Sequence, residues 1–257
     1  MSYKIVFFDI DGTLVNKDST IPLDTKEAIR KLKERNIEVS FATGRAPFHF
    51  RHIAEELGID SFVSFNGSYV VYKGKVIFEK PIHPASLEQL EQYSHRFNHP
   101  IVYLSHKECY ANKKQHPHVV ESFQFLKLES PGFQPHYWKD TSIYQALLYC
   151  QEHEETHYLE KFNDLSFIRW HPLSMDVLPS DLSKAKGIAA MLQHLKLSPD
   201  DAVAFGDGLN DKEMLSYVGM GIAMGNAHEE VKPFADFTTK HVNDGGIRYG
   251  LEYLELI

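Results

Sequence analysis

Two short strings hold the residues best suited to chemistry. The first, Asp9-Ile10-Asp11-Gly12-Thr13, sets two carboxylates one residue apart, ahead of a glycine that permits a tight turn. The second, Gly206-Asp207-Gly208-Leu209-Asn210-Asp211, supplies two more carboxylates with a carboxamide beside them. Brought to one place, Asp9, Asp11, Asp207 and Asp211 would raise one another's pKa or demand a cation. An all-oxygen donor set suits a hard cation, and beside a phosphate the usual one is Mg2+. Taken singly, Asp207 reads as a turn residue and Asp211 as a helix cap, but the first string makes that the weaker explanation for both.

Two further strings offer ways to hold an anion. Thr43-Gly44-Arg45 joins a hydroxyl to backbone N–H groups at what reads as a helix N-terminus, with a plain helix cap as the competing explanation. Ser183-Lys184-Ala185-Lys186-Gly187 opens another expected helix. A lysine there opposes the helix dipole, which points to a ligand, although a solvated surface position is the commonest fate of a lysine. Lys184 is preferred to Lys186; two residues apart, they face different sides of the helix, so only one should reach a phosphate.

These strings need elements to position them. Residues 4–8, apolar after Lys4, and residues 202–205 show no polar alternation, as strands buried on both faces require, and each runs straight into an acidic string. A helix is expected over 25–35, capped by Asp24 with Glu27 three residues on. A second strand is expected at 37–41, then a helix carrying Phe50, Ile53 and Leu57 and stopped by Gly58. A third strand is expected at 62–65 and a hairpin around Lys73-Gly74-Lys75. From about residue 81 to 178 the alternation weakens, while histidines, aromatics and prolines become frequent. Strand and helix return with Ile188, Met191, Leu192 and Leu195 on one helix face, Met214, Leu215 and Val218 on another, a strand at 221–224 and a last helix after Gly246. The expected fold is α/β: a Rossmann-like, doubly wound parallel-sheet core (1–81 and 179–257) split by an inserted α+β cap domain (82–178).

Composition narrows the class. The 257 residues are 43% hydrophobic and 24% charged, enough for a substantial core. A formal charge of -8 argues against a general nucleic-acid binder, which needs excess Lys and Arg, but leaves room for a small phosphorylated ligand. Cys109 and Cys150, 41 positions apart, make neither a zinc spacing nor a disulfide framework. The apolar run before Asp9 is too short for a signal peptide or membrane span, so the expected location is the cytoplasm, with no membrane partner. The 15 histidines include His116 with His118 and His153 with His157, but neither pair has an obvious third ligand, so packing or surface roles are expected. Periodicity does not reveal the oligomeric state.

Taken in chain order (the Asp9 string, Thr43-Gly44-Arg45, the Lys184 string and the Gly206 string), the four resemble the four motifs of the haloacid dehalogenase superfamily. The long insert between Thr43-Gly44-Arg45 and the Lys184 string resembles the Cof-type branch with its C2 cap. The resemblance implies that Asp9 is a nucleophile forming an aspartyl-phosphate, and that Asp11 protonates the leaving alcohol and then activates water. It implies Mg2+ held by the carboxylates of Asp9 and Asp207 and the backbone carbonyl of Asp11, with Asp211 orienting that shell. Thr43, the Gly44 amide, Lys184 and Asn210 would hold the phosphoryl oxygens. The implied activity is hydrolysis of small phosphorylated metabolites: sugar phosphates, or cofactors such as flavin mononucleotide or pyridoxal phosphate. A phosphomutase would need no different motif. A non-catalytic regulator ranks lower, because no catalytic position is missing. Tyr103, His106, Trp138, Arg169 and His171 are candidate substrate contacts in the cap.

Overall fold

The computed structural model describes residues 3–257. Strand β1 (Ile5–Phe8) is buried along its whole length. Helix α1 (Leu23–Glu34) buries Thr25, Ala28, Ile29 and Leu32 at helical spacing. It begins earlier than expected. Pro22 is its N-cap, with φ at -57°, and Asp24 lies inside the first turn, where its charge favours the helix dipole but caps nothing.

Strand β2 (Glu38–Ala42) follows, yet Thr43-Gly44-Arg45 does not open an α-helix. Pro47 forces Ala46 into an extended conformation (φ -67°, ψ 148°), a single 3-10 turn at Pro47–His49 intervenes, and α2 (Arg51–Leu57) starts only after Phe50. Strand β3 (Phe62–Ser64) leads to the hairpin of β4 (Tyr69–Tyr72) and β5 (Lys75–Glu79). Its two-residue turn, Lys73-Gly74, has the positive φ values that such a turn needs.

The middle of the chain runs α3 (Pro84–Arg96), β6 (Ile101–Leu104), β7 (Cys109–Ala111), α4 (Pro117–Phe125), β8 (Gly132–Phe133), α5 (Tyr137–Asp140), β9 (Gln145–Leu148), α6 (Thr156–Leu159), β10 (Leu165–His171) and β11 (Ser174–Pro179). Its six strands form one sheet in the order β10-β11-β9-β6-β7-β8, antiparallel except for β7 with β8. Leu87, Leu90, Ile101, Tyr103, Trp138, Leu148 and Val177 belong to its own apolar core.

The chain then continues through α7 (Lys184–Leu195), β12 (Ala202–Gly206), α8 (Lys212–Tyr217), β13 (Met220–Ala223), β14 (Phe237–Thr238) and α9 (Gly246–Tyr253). These strands join the first five in an eight-stranded sheet ordered β14-β13-β12-β1-β2-β3-β4-β5. It is parallel from β14 to β3 and antiparallel at the β4–β5 edge. The fold is thus a mixed α/β one built on a parallel-sheet core. From β1 the chain steps outward to β2 and β3; from β12 it steps the other way to β13 and β14. The carboxyl ends of β1 and β12 therefore flank the point where strand order reverses, where such sheets bind ligands.

By contacts the chain divides into two compact units. One comprises the residues up to Arg45 together with Arg51–Glu79 and Ser183–Ile257; the other comprises Ala46–Phe50 and Lys80–Leu182. Among the described residues, no helix is long and apolar enough to cross a membrane.

Candidate active site

Parallel pairing of β1 with β12 sets Phe8 beside Phe205, and the Asp9 N–H donates to the Phe205 carbonyl at 2.9 Å. The two acidic strings therefore leave the sheet side by side. Among the described residues, Asp9, Asp207 and Asp211 form the one group of three potential ligands whose oxygens lie within 4.8 Å of one another. An all-carboxylate set of this kind fits a hard divalent cation rather than a soft one.

The ammonium of Lys184 enters this cluster from the first turn of α7. Its Nζ donates to Asp9 Oδ1 at 2.5 Å and to Asp211 Oδ1 at 2.6 Å, and its side chain is fully buried. Lys186 is exposed on the same helix. The other Asp211 oxygen accepts from the backbone N–H groups of Asp207 (2.9 Å) and Gly208 (2.8 Å). Asp211 is thus both the anchor of its turn and a partner of the lysine.

The electrostatics follow from this crowding. Burial pushes the Asp9 carboxyl well above the usual carboxylate range; Lys184 opposes the shift, while Asp211, Asp207 and Asp11 add to it. Asp207 is pushed up to about 7, first by burial and then by Asp211, against the pull of Thr13 and Lys184. Burial works against the charge on Lys184, but Asp211 and Asp9 outweigh it and its pKa is raised. Three acids share one ammonium, and a bound divalent cation would invert the pressure on Asp9 and Asp207.

Asp11 points elsewhere. Its carboxylate accepts a two-pronged pair from Arg45, Nε to Oδ2 at 2.7 Å and Nη2 to Oδ1 at 2.6 Å, and its side chain remains 60% exposed. This leaves its carboxylate outside the three-oxygen cluster. Gly12 takes φ +75°, and a Cβ there would lie 2.1 Å from Asp207 Oδ2, so both conformation and space require glycine.

Thr43 is buried in the loop after β2, and its Oγ1 accepts from the Arg45 N–H at 3.1 Å. Gly44 adjoins the carboxamide of Asn66, and Asn210 Nδ2 donates to Asn66 Oδ1 at 2.9 Å. Sequence reasoning missed Asn66, Asn226 and the role of Thr13. Asn226 Nδ2 donates to the Gly12 carbonyl at 2.7 Å and its Oδ1 accepts from the Val242 N–H, while Thr13 Oγ1 donates to Asp207 Oδ1 at 3.0 Å. Together they fix the turn and the carboxylate. Thr13 stood inside the first string and could have been found there; Asn226 lies in no recognisable string.

The cap candidates separate into packing and pairing. Tyr103 and Trp138 are buried and both donate to Glu91 (2.9 and 3.0 Å). Arg169 is spent on Glu155 and on the carbonyls of Cys150, His171 and Pro172. His171 accepts from the Leu173 N–H, and His106 lies edge-on to Tyr144. His116 accepts from the His118 N–H, and His157 stacks on Phe97. His153 and His157 fall in different turns, so their i, i+4 spacing builds no common helical face.

A family profile for haloacid dehalogenase-like hydrolases matches residues 6–251. The chain belongs to that family. A Bacillus subtilis (strain 168) protein named as a phosphatase, YkrA, is 41% identical over 257 residues, covering all of both chains. A hypothetical protein from Geobacillus kaustophilus HTA426 has a solved structure that superposes with a TM-score of 0.95 at 50% identity, again covering both chains fully. A haloacid dehalogenase subclass IIB sugar phosphatase superposes at 0.88 with 26% identity, over 99% of this chain and 100% of its own. As a haloacid dehalogenase-like hydrolase, the protein is a phosphoric monoester hydrolase.

Proposed function

We propose that this haloacid dehalogenase-like hydrolase is a Mg2+-dependent phosphatase of small phosphorylated metabolites, sugar phosphates foremost, acting through a phosphoryl group carried on Asp9. The observation that carries this reading is the convergence of Asp9, Asp207 and Asp211 on the buried Lys184 at the switch point of the sheet. Likeness to a sugar phosphatase supports the substrate class.

In the first step a carboxylate oxygen of Asp9 attacks phosphorus, the ester P–O bond breaks, and Asp11 gives its proton to the departing alkoxide. In the second, Asp11 takes a proton from water, whose oxygen attacks phosphorus and releases inorganic phosphate and the Asp9 carboxylate. Lys184 already grips Asp9 Oδ1, leaving Oδ2 for attack and a positive charge beside the transferring group. Arg45 pairs with both oxygens of the ionised Asp11, the form that takes the proton from water in the second step; to donate in the first, Asp11 must release one of these oxygens to carry its proton. Asp9, Asp207 and the Asp11 carbonyl would hold Mg2+, with Asp211 orienting that shell. An ion held there would supply charge neutralisation on the phosphoryl oxygens. Thr43, the Gly44 amide and Asn210 would take the remaining phosphoryl oxygens. The unit containing Lys80–Leu182 serves as the C2-type cap that selects the substrate. A cytoplasmic location completes the reading, supported by two free cysteines, Cys109 and Cys150.

The test is hydrolysis of p-nitrophenyl phosphate by wild type and Asp9→Asn, with Mg2+ and then with EDTA. Release of nitrophenol that needs both Mg2+ and Asp9 is expected. Turnover that survives EDTA or the substitution would contradict the reading.

A further inference from the structure

The turn that follows β3 is built against local preference. Phe65 and Asn66 have φ of 50° and 51°, and Gly67 has 105°, so two non-glycine residues in a row occupy the left-handed region. For a bulky residue such as Phe65 this is a costly conformation, one that persists only where the surroundings impose it. All three residues are buried.

The surroundings are the strings of the proposed phosphate site. The Asn66 N–H donates to the Thr43 carbonyl (3.1 Å) and the Phe65 N–H to the Arg45 carbonyl (3.3 Å), clamping Thr43-Gly44-Arg45. The Asn66 carboxamide lies against Gly44, where even a Cβ would come within 3.0 Å of Nδ2. Its Oδ1 accepts from Asn210 Nδ2. Gly67 meets the start of α7: a Cβ on it would lie 2.2 Å from the Ser183 carbonyl oxygen, and a Cβ on Gly187 would lie 2.8 Å from the Gly67 Cα. That backbone-to-backbone contact sets the first turn of the helix, and with it Lys184. One turn thus touches the second, third and fourth strings at once.

We propose that Asn66 is a positioning residue for phosphate: its strained turn and its carboxamide hold Gly44 and Asn210 in the arrangement that receives the phosphoryl oxygens. This rests on the phosphate site proposed above and adds a residue that none of the four strings contains. In this left-handed conformation the Asn66 carboxamide lies against Gly44 and within hydrogen-bond reach of Asn210.

Asn66→Gly separates this from a merely structural role. Glycine adopts the left-handed conformation without steric cost, so the variant keeps the backbone of the turn and folds, its melting temperature lowered only by loss of the side-chain hydrogen bond to Asn210. Binding of inorganic phosphate, followed by phosphorus NMR in the presence of Mg2+, should nevertheless weaken about tenfold, the scale of one lost positioning hydrogen bond. Asn210→Ala should weaken it comparably, and the double variant no further than the worse single one, because the two act as a unit. Wild-type phosphate affinity in Asn66→Gly, or additive losses in the double variant, would overturn the proposal. The readout needs no turnover. A protein that binds phosphate through Asn66 but hydrolyses no ester would sink the phosphatase reading and uphold this one; a wild type that binds no phosphate would sink both.

Discussion

The two units bury polar groups in opposite ways. In the second unit the groups are matched: the Glu91 carboxylate takes one hydrogen bond from Tyr103 and one from Trp138, and His99 sits between the Tyr158 hydroxyl (2.7 Å) and Glu154 (3.2 Å). In the first unit, Asp9, Asp207 and Asp211 crowd around a single ammonium, and like charges face one another. Matched polar groups offset their own desolvation and hold a fold together. Crowded carboxylates do the reverse, and a protein keeps them where a ligand or ion supplies the missing charge. The imbalance, more than the burial, separates a working site from a structural network.

The contrast can be broken experimentally. Its largest expected consequence is for Asp9→Asn, which should lower kcat on p-nitrophenyl phosphate by on the order of 10⁴-fold or more, as loss of a nucleophile does. Its melting temperature should hold or rise, since one of the crowded charges is gone. A large loss of stability would mean that the cluster is structural after all. Next comes Lys184→Met, which strands three carboxylates and should cost about 3–5 kcal/mol in urea unfolding. Mg2+ should restore part of that loss, and a variant indifferent to Mg2+ would count against a metal at these oxygens.

The matched network predicts a different signature. Glu91→Ala leaves the Tyr103 hydroxyl and the Trp138 N–H without their acceptor and should cost about 1–3 kcal/mol of stability. The kcat on p-nitrophenyl phosphate should stay at the wild-type value; a fall like that of Asp9→Asn would erase the distinction between the units. The last prediction concerns pH. Asp207 titrates near 3.8 when unperturbed and at about 7 in the metal-free fold, so the folded state binds the extra proton between those values. Its contribution to metal-free stability is fully present below about pH 4 and lost as pH rises through about 7, in the direction that linkage requires. Mg2+ affinity should rise over the same window, because ligands must be deprotonated to bind. Melting curves in EDTA and in Mg2+ across that range would show the two trends diverging; parallel curves would contradict them.

Much of the core was legible because its signals are local. Asp9 and Asp207 each end an apolar run, and a strand that stops in an acidic turn places the acid at the sheet's edge whatever the rest of the chain does. That only one of Lys184 and Lys186 could reach the site was legible, because positions two apart face different sides of a helix; which one is decided by the fold, which buries Lys184 and exposes Lys186. The misread elements had competing local signals: Asp24 looks like a cap until Pro22 starts the helix earlier, and Thr43-Gly44-Arg45 looks like a helix entry until Pro47 interrupts it. Asn66 and Asn226 were not legible at all, since their partners lie up to 144 and 214 residues away. In the second unit, Tyr103, Trp138 and Arg169 looked like substrate contacts because aromatic and basic residues serve both purposes. Only their partners Glu91 and Glu155 tell the two apart.

The central claim is that Asp9 carries the phosphoryl group. Acid quenching of the enzyme during turnover of p-nitrophenyl phosphate, followed by peptide mass spectrometry, tests it directly. A phosphoryl group on the peptide containing Asp9, absent from Asp9→Asn, is the predicted result. Steady turnover with no phosphorylated peptide, or with the label on another residue, would contradict the account.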